Sequence, residues 1–320
     1  MEGGIHKLAI PTPFAVGRVN LYLIDDDPLT LVDAGPNSGR SLDELEGQLR
    51  GLGRRVEDIG LILVTHQHID HIGLVGIVAR RSGAEVAAID KLVPFMENYS
   101  EHAAVQDTFA SQLMLRHGIA PDVVQALQSV SLAYRAWGAR ADVSRVLHDG
   151  DVVELRDRRL EVHFRPGHSP TDTVFYDPES RRLLAADHLL AHISSNPLMT
   201  PAEEGEERPQ ALVAYLDSLS KTRAMDLAEV LPGHGDPITD HRNLIDQRVR
   251  LHRKRADKIL DQIRERSRTA HDLAQALWGN VAVTQAFLTL SEVIGHTDIL
   301  MNEGKVREVE EGGVVRFEAT

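Results

Sequence analysis

The six-residue run His66–His71 constrains the fold of this 320-residue chain more than any other segment. It holds three histidines and an aspartate. The apolar, β-branched run 61–65 precedes it and predicts a buried strand, while residues 71–81 show a pattern typical of a helix. The histidines are therefore expected on the loop that leaves a strand, where a buried sheet can direct several side chains at one point.

The side chains in this run indicate a metal site. Imidazole and carboxylate groups suit zinc, manganese or iron, and the chain contains no cysteine that would favour a soft metal. The run holds four closely spaced potential ligands, and this density favours two divalent metal ions, with zinc preferred and manganese or iron as alternatives. The competing interpretation is a solvated, histidine-rich turn.

Three isolated residues further along the chain extend this hypothesis. His168 follows the strand-like run 159–164 and His234 follows 229–231, each directly after a glycine that can turn the backbone sharply. Asp187 follows the apolar run 182–186. A single histidine after a strand is usually structural, but three such residues behind one metal motif favour a ligand role.

With these motifs the sequence resembles the metallo-β-lactamase superfamily, in its glyoxalase II-like dinuclear form, over roughly residues 5–240. The ligands that the resemblance implies are His66, His68 and His168 for one ion, Asp70, His71 and His234 for the other, and Asp187 as the bridge between them. Asp33 matches an acidic residue that supports the metal histidines from behind. Ala186 departs from the family pattern, in which a glycine commonly precedes the bridging aspartate.

The resemblance implies a hydrolase that uses a metal-bridging hydroxide to cleave a small ester, thioester or lactone. Asp70 is the expected catalytic residue, because one oxygen can bind metal while the other orients the hydroxide or carries its proton. β-Lactamase activity is disfavoured, since a bridging aspartate is not part of the zinc β-lactamase sites. A metal-dependent endoribonuclease or phosphodiesterase is the first alternative, and a DNA-binding regulator is the second.

The amino-acid composition limits the kinds of binding partner that we expect. The chain carries 48 acidic and 35 basic residues, a net charge of −13, which disfavours nonspecific binding to nucleic acid or membranes. A small-molecule substrate is expected; RNA stays open, and a homodimer is an additional hypothesis. The first residues do not resemble a signal peptide and no apolar run is long enough to span a membrane, so the expected location is cytoplasmic.

Short apolar runs alternate with helical patterns, which predicts an α+β fold. The resemblance implies an αββα sandwich within a catalytic domain at 1–240. The predicted strands are 18–24, 29–33, 61–65, 85–89, 152–155, 159–164, 173–177, 182–186 and 229–231, and the predicted helices include 41–51, 71–81 and 208–221.

A helical insertion of two or three helices is expected at about 92–143, because apolar residues recur there at helical spacing. By the resemblance it shapes the substrate pocket, and Tyr99 and Tyr134 are its candidate pocket residues. His188 and His192 follow the bridging aspartate and are candidate rim residues. The alternative is that the tyrosines pack the insertion onto the sandwich and that the histidines are ordinary polar residues.

Residues 241–320 form the second predicted domain. The stretch 248–268 is rich in arginine, Thr269 is placed to cap a following helix, and Gly312 and Gly313 are placed to turn a hairpin. Helices followed by a hairpin resemble the winged-helix module. The helix that would enter a DNA groove is acidic, which favours a packing or dimerisation role over DNA binding.

Overall fold

A computed structural model of the chain describes residues 4–202 and 205–320, which divide into two compact units. The first unit consists of the described part of Met1–His102 together with Tyr134–Ser195 and Ala224–His241. The second consists of Ala103–Ala133, the described part of Asn196–Arg223, and Arg242–Thr320. Among the described residues, no helix has the length and apolar content needed to cross a membrane.

The first unit contains a six-stranded sheet with its strands in chain order. Its strands are β1 (Ile5–Ile10), β2 (Val19–Ile24), β3 (Thr30–Val32), β4 (Leu61–Val64), β5 (Glu85–Ile89) and β6 (Arg145–Leu147). The β1–β2 and β2–β3 pairs are antiparallel, and the pairs from β3 to β6 are parallel. The parallel half carries β4 in an interior position, which explains its uninterrupted apolar sequence.

A five-stranded sheet completes the first unit's β-structure, with the order β11-β10-β9-β8-β7. Its strands are β7 (Val152–Glu154), β8 (Arg159–Phe164), β9 (Thr173–Asp177), β10 (Arg182–Ala186) and β11 (Glu229–Pro232). Only the β10–β11 pair is parallel, so these two strands end at the same edge of the sheet.

Side-chain alternation in β4 divides the apolar residues of the first unit between two cores. Leu61 and Leu63 belong to a core shared by the two sheets, where Leu160 and Phe175 represent the second sheet. Ile62 and Val64 point to the opposite face, where they join a core that includes residues of the helices. Because successive strand residues face opposite sides, one strand supports both layers.

The first unit also contains α-helices between residues 39 and 97. They include α1 (Gly39–Gly51), α2 (Ile69–Ile72), α3 (Val75–Ser82) and α4 (Val93–Glu97). Ser38 caps α1 by accepting from the backbone N–H of Ser41. Helix α3 ends at Gly83, whose φ of 73° lies in the left-handed region that glycine tolerates.

The second unit is mainly helical. Its elements are α5 (Tyr99–Arg116), which begins in the first unit, α6 (Pro121–Tyr134), α7 (Ala211–Ala224), α8 (His241–Glu265), α9 (Ala270–Trp278), α10 (Val281–Thr284), α11 (Ala286–Asn302), β12 (Val306–Glu311) and β13 (Val314–Ala319). Thr269 and Asp272 form a reciprocal capping box at α9. The β12–β13 hairpin turns at Gly312 and Gly313, both at positive φ.

One apolar core joins three chain segments in this unit. Leu113 and Ile119 pack in it with Ile259, Leu290 and Phe317. The compact units therefore differ from a division at residue 240, since residues 103–133 and the described part of 196–223 cluster with the C-terminal segment. Sequence periodicity identifies the helices of the insertion but does not tell which core they join.

Each of the nine predicted strands overlaps an observed one, and two observed strands were missed. Strand β1 contains His6 and the exposed Lys7, which break an apolar run. Strand β6 has only three residues, and its central Val146 is 48% exposed. Both strands lie at the edges of the six-stranded sheet, where a strand buries less apolar surface and leaves a weaker pattern.

Candidate metal centre

The predicted ligands follow strand ends of the first unit. His66 comes two residues after β4, and His68 precedes α2, which contains Asp70 and His71. His168 lies between β8 and β9, while Asp187 directly follows β10 and His234 comes two residues after β11. The structure brings all seven side chains into two adjacent groups of potential metal ligands.

The first group comprises His66, His68, His168 and Asp187. His68 Nδ1 lies 3.0 Å from His66 Nε2 and 2.9 Å from His168 Nε2. Ligand atoms of a tetrahedral zinc site with bonds of about 2.0–2.1 Å lie about 3.3 Å apart. The three ring nitrogens are therefore spaced almost as ligands of one ion.

The second group comprises Asp70, His71 and His234, and Asp187 reaches both groups. His234 Nε2 lies 3.3 Å from Asp70 Oδ2. Asp187 places Oδ1 3.5 Å from His71 Nε2, and places Oδ2 3.6 Å from both His168 Nε2 and His234 Nε2. A single carboxylate thus lies between the two groups, with Oδ2 near a histidine of each group and Oδ1 near His71, as expected for a bridging ligand.

Buried atoms without partners test whether metal ions fit here. His71 Nε2, His234 Nε2 and Asp187 Oδ1 are buried, and none has a hydrogen-bond partner among the described residues. Leaving a polar atom in this state costs about 1–3 kcal/mol. All three atoms belong to the two ligand groups, so bound cations would satisfy them. The nitrogen and oxygen donor set suits divalent ions.

Asp33 accepts hydrogen bonds from His71 and Thr65 through its two carboxylate oxygens. Its Oδ2 accepts hydrogen bonds from His71 Nδ1 at 2.7 Å and from Thr65 Oγ1 at 2.8 Å, and its Oδ1 accepts from the Thr65 backbone N–H at 2.9 Å. His234 Nδ1 donates to the Arg18 carbonyl oxygen at 2.8 Å. These bonds hold the Nδ1 proton and leave Nε2 of each histidine available as a ligand.

Burial and charge set the protonation of the ligands. Burial lowers the pKa of His68 to about 3, with His168 adding to the effect, and burial also lowers the pKa of His66 well below its usual value. Burial opposes the charged form of His71, but the carboxylates of Asp33 and Asp187 outweigh it and raise its pKa. His66 and His68 therefore offer neutral imidazoles, the form that binds metal.

Two residues that sequence reasoning missed support the ligand turns. Asp172 accepts from the Ser169 backbone N–H at 2.7 Å and from Ser169 Oγ at 2.9 Å, and burial raises the pKa of its carboxyl to about 6. Asn20 donates from Nδ2 to the carbonyl oxygens of Pro232 at 3.0 Å and Gly235 at 2.9 Å. The sequence signal for Asp172 is its position three residues after Ser169, a spacing typical of local turns.

Three backbone positions beside the ligands have little tolerance for change. Asp33 and Ala186 adopt φ values of 60° and 43°, in the region that glycine prefers. At Ala186 this conformation explains why the family pattern often has glycine there. A Cβ added to Gly233 would lie 2.2 Å from Asp187 Oδ1 and 3.0 Å from His71 Cε1, so a side chain there would displace the ligands.

The candidate pocket residues lie outside the two ligand groups. Tyr99 donates its hydroxyl to the Arg135 carbonyl oxygen at 2.8 Å and packs against the helix-facing core. Tyr134 is 39% exposed, with its ring 5.4 Å from that of Phe14. His188 is buried next to Asp187, and burial lowers its pKa to about 3. His192 is exposed and lies against Gly235, close to a ligand turn.

Sequence comparison identifies the class of protein to which this fold and site correspond. Residues 15–234 match the family model for the metallo-β-lactamase superfamily. A Bacillus subtilis (strain 168) protein, probable metallo-hydrolase YqjP, is 33% identical over 310 residues, which cover 97% of this chain and 96% of that protein. The chain belongs to the metallo-β-lactamase superfamily, and it is a hydrolase of this metal-dependent class.

Solved structures resemble the full length of the chain. A metallo-β-lactamase family protein from Thermus thermophilus has a TM-score of 0.82 and 27% identity, covering 99% of both chains. A β-lactamase domain protein from Burkholderia ambifaria has a TM-score of 0.84 and 26% identity, covering 99% of this chain and 92% of that one. The similarity therefore includes the C-terminal segment beyond the family match.

More distant relatives have names that specify substrates. The acyl-coenzyme A thioesterase MBLAC2 of Gallus gallus is 27% identical over 183 residues, 53% of this chain and 57% of that protein. The exodeoxyribonuclease WalJ of Streptococcus pneumoniae is 40% identical over 79 residues, 25% of this chain and 28% of that protein. Both matches are partial, so they identify the superfamily without assigning a substrate.

Proposed function

We propose that this protein is a dinuclear metal-dependent hydrolase of small esters, thioesters or lactones. The observation that carries the proposal is Asp187, whose carboxylate lies 3.6 Å from His168 of one ligand group and 3.5 Å from His71 of the other. Two divalent ions, when bound, lower the pKa of water toward neutrality and polarise a carbonyl oxygen. Zinc is the preferred ion because four-coordinate nitrogen and oxygen sites suit it, with manganese and iron as alternatives.

We assign different roles in metal binding and catalysis to different residues of the chain. His66, His68 and His168 would hold one ion and Asp70, His71 and His234 would hold the other, with Asp187 reaching both groups. Asp70 has one oxygen 3.3 Å from His234 Nε2, and we assign its carboxylate to orient a reacting water or to accept its proton. Asp33 keeps His71 in the ligating tautomer. No Ser or Cys nucleophile is required.

The net charge of the chain and its partial similarity to a thioesterase both favour a carbonyl substrate. The net charge of −13 opposes the approach of polyanionic nucleic acid. The partial match to a thioesterase supports an acyl substrate. His192, exposed beside a ligand turn, is the residue that we assign to substrate contact at the rim.

Nuclease activity is the second candidate, and the partial match to an exodeoxyribonuclease favours it. The arginine-rich stretch 248–268 offers less support than its sequence predicts. Arg253 binds Glu303, Arg255 binds Glu292 and Arg268 binds Glu265. Because these cations are already paired with acids, they contribute less to phosphate binding than free side chains would.

We propose a winged-helix-like character for residues 241–320, with a packing role. The order of helices α8 to α11 followed by the β12–β13 hairpin supports this assignment. Most of α11 is buried within the second unit, including Glu292 and Asp298. A buried, acidic helix cannot lie in a DNA groove, so specific DNA binding is not expected.

A substrate panel tests the proposed activity. Full-length protein loaded separately with zinc, manganese or iron would be assayed with a p-nitrophenyl ester, an acyl-coenzyme A thioester, a lactone, bis-p-nitrophenyl phosphate and single-stranded RNA and DNA. We expect metal-dependent turnover of an acyl substrate that EDTA abolishes. Turnover restricted to phosphodiesters or nucleic acid would replace the acyl assignment with the nuclease one. Turnover of every substrate unchanged by EDTA would contradict metal-dependent hydrolysis.

A further inference from the structure

The second unit contains its own cluster of potential metal ligands, separate from the seven residues described above. His252 lies on α8, while Glu292 and His296 lie on α11, and all three are buried. Residues four apart on a helix project from the same face, so Glu292 and His296 point together toward α8. Arg255 pairs with Glu292 and compensates in part for the loss of water around its buried carboxylate.

The spacing of the ligand atoms matches a metal site. His252 Nδ1 lies 3.3 Å from His296 Nε2, and 3.8 Å from Glu292 Oε1. Two ligands of a tetrahedral ion with metal–nitrogen bonds of about 2.0–2.1 Å are separated by about 3.3 Å. The two nitrogens therefore already stand at ligand spacing, and the ligand atoms of all three residues lie within 4.8 Å of one another.

A backbone hydrogen bond fixes the tautomer that such a site requires. His296 Nδ1 donates to the carbonyl oxygen of Glu292 at 2.6 Å, so the lone pair of His296 is on Nε2, the atom nearest His252. Metal-binding histidines usually donate their other ring N–H to a carbonyl or carboxylate in this way. His234 of the metal centre has the same arrangement, with the Arg18 carbonyl oxygen as acceptor.

Glu292 already has one cationic partner but retains further acceptor sites. Arg255 hydrogen-bonds Glu292 through Oε1 and places its guanidinium carbon 5.5 Å from the centre of the Trp278 ring. An ionised carboxylate offers about four lone-pair sites on two oxygens, so one arginine contact does not exhaust it. The Tyr215 ring packs edge-on against His252 at 6.2 Å, which restricts the imidazole orientation.

We propose that His252, Glu292 and His296 form an additional site for a divalent metal ion, with zinc as the preferred ion. The donor set of two nitrogens and one carboxylate oxygen matches zinc sites with three protein ligands. The ion links α8 to α11 inside the second unit and has a structural role. A water molecule completes the coordination.

Metal stoichiometry of the full-length protein tests the proposal. Protein loaded with ZnSO₄ and dialysed against metal-free buffer would be compared with His252→Gln and His296→Gln by elemental analysis, with folding monitored by circular dichroism. We expect each variant to hold one zinc equivalent fewer per chain than the wild type. His117→Gln is the matched control, because His117 is another buried histidine of the second unit outside every ligand group found among the described residues. It should retain the wild-type stoichiometry.

A second variant keeps the test decisive if His252→Gln or His296→Gln fails to fold. The variant His66→Ala/His68→Ala/His71→Ala/Asp187→Ala removes ligands of both groups in the first unit and leaves the α8–α11 cluster intact. It should still bind one zinc equivalent, and zinc should raise its melting temperature by on the order of 5 °C. Folded glutamine variants with wild-type zinc content would overturn the proposal. Loss of all zinc from the fourfold variant would overturn it as well.

Discussion

The two histidine-containing regions of this molecule place similar ligands on different scaffolds. In the first unit, the ligands follow four strand ends and are held by short turns. In the second unit, they project from the facing sides of two helices, α8 and α11. A turn at a strand end can leave a coordination position open to substrate, whereas a helix–helix interior encloses the ion. We therefore expect a catalytic role for the first cluster and a structural role for the second.

The largest expected effect comes from removing the shared carboxylate. Asp187→Ala should lower kcat/KM by about three orders of magnitude or more, because several kcal/mol of charge stabilisation depends on both ions. Metal analysis should show loss of at least one equivalent. The matched control is Asp177→Ala, which removes a buried carboxylate of the same sheet that pairs with Arg158 and belongs to neither ligand group. If Asp187→Ala retained both ions and full turnover, the bridging assignment would be wrong.

Asp70 should show an effect on turnover beyond its effect on metal content. Asp70→Ala is expected to reduce kcat by about 10²-fold even at saturating metal, because proton handling by a positioned side chain contributes about 10²–10⁴-fold. Steady-state kinetics across a zinc titration separates the two contributions. Wild-type kcat with full metal occupancy would remove the proton-handling role.

Asp33 should act on metal affinity through His71. Asp33→Asn keeps the shape but weakens acceptance from His71 Nδ1, and loss of such a partner typically costs 10–100-fold in metal affinity, so we expect about that reduction. Competition with a chromophoric chelator would measure it. The cluster of the second unit offers the comparison, since its zinc affinity should not change in this variant. An unchanged affinity at both clusters would show that Asp33 has no positioning role.

His117 should make the second unit sensitive to acid. Burial, followed by the charges of Arg116 and Arg208, lowers the pKa of His117 to about 4, below an unfolded value of about 6.5. The unfolded chain therefore binds the proton first, and stability present above pH 6.5 is lost as the pH falls toward 4. For His117 the loss amounts to about 3 kcal/mol. Urea denaturation at pH 7 and pH 4.5 should show that the free energy of unfolding falls less in His117→Phe than in the wild type. An equal fall in the two proteins would contradict this account.

The smallest effect is expected where the two clusters should be independent. His252→Gln should change kcat/KM by less than about twofold at saturating zinc, because a structural ion in one unit leaves the ligands of the other intact. The same preparation should show its lost zinc equivalent and a lower melting temperature. A reduction in kcat comparable to that of Asp187→Ala would show that the two clusters are functionally coupled.

The candidate metal centre could be predicted from the sequence because its potential ligands lie in short, recognisable sequence motifs. His66–His71 is contiguous, and His168 and His234 each follow a glycine at a strand end. His252 and Glu292 are 40 residues apart in buried helix faces, where a histidine resembles any other core position. Whether such residues meet depends on helix packing, which periodicity does not specify. The assignment of residues 103–133 to the second core depends on packing in the same way.

Gly233 has a practical consequence for laboratory evolution of this enzyme. Any residue other than glycine would place a Cβ 2.2 Å from Asp187 Oδ1, so a saturation library at codon 233 should return only the parental residue among active clones. The neighbouring rim offers more freedom, since His192 and Ile193 are exposed. We therefore expect libraries that vary positions 192 and 193, with Gly233 unchanged, to yield active variants. Their substrate preferences would test the proposed rim role of these positions.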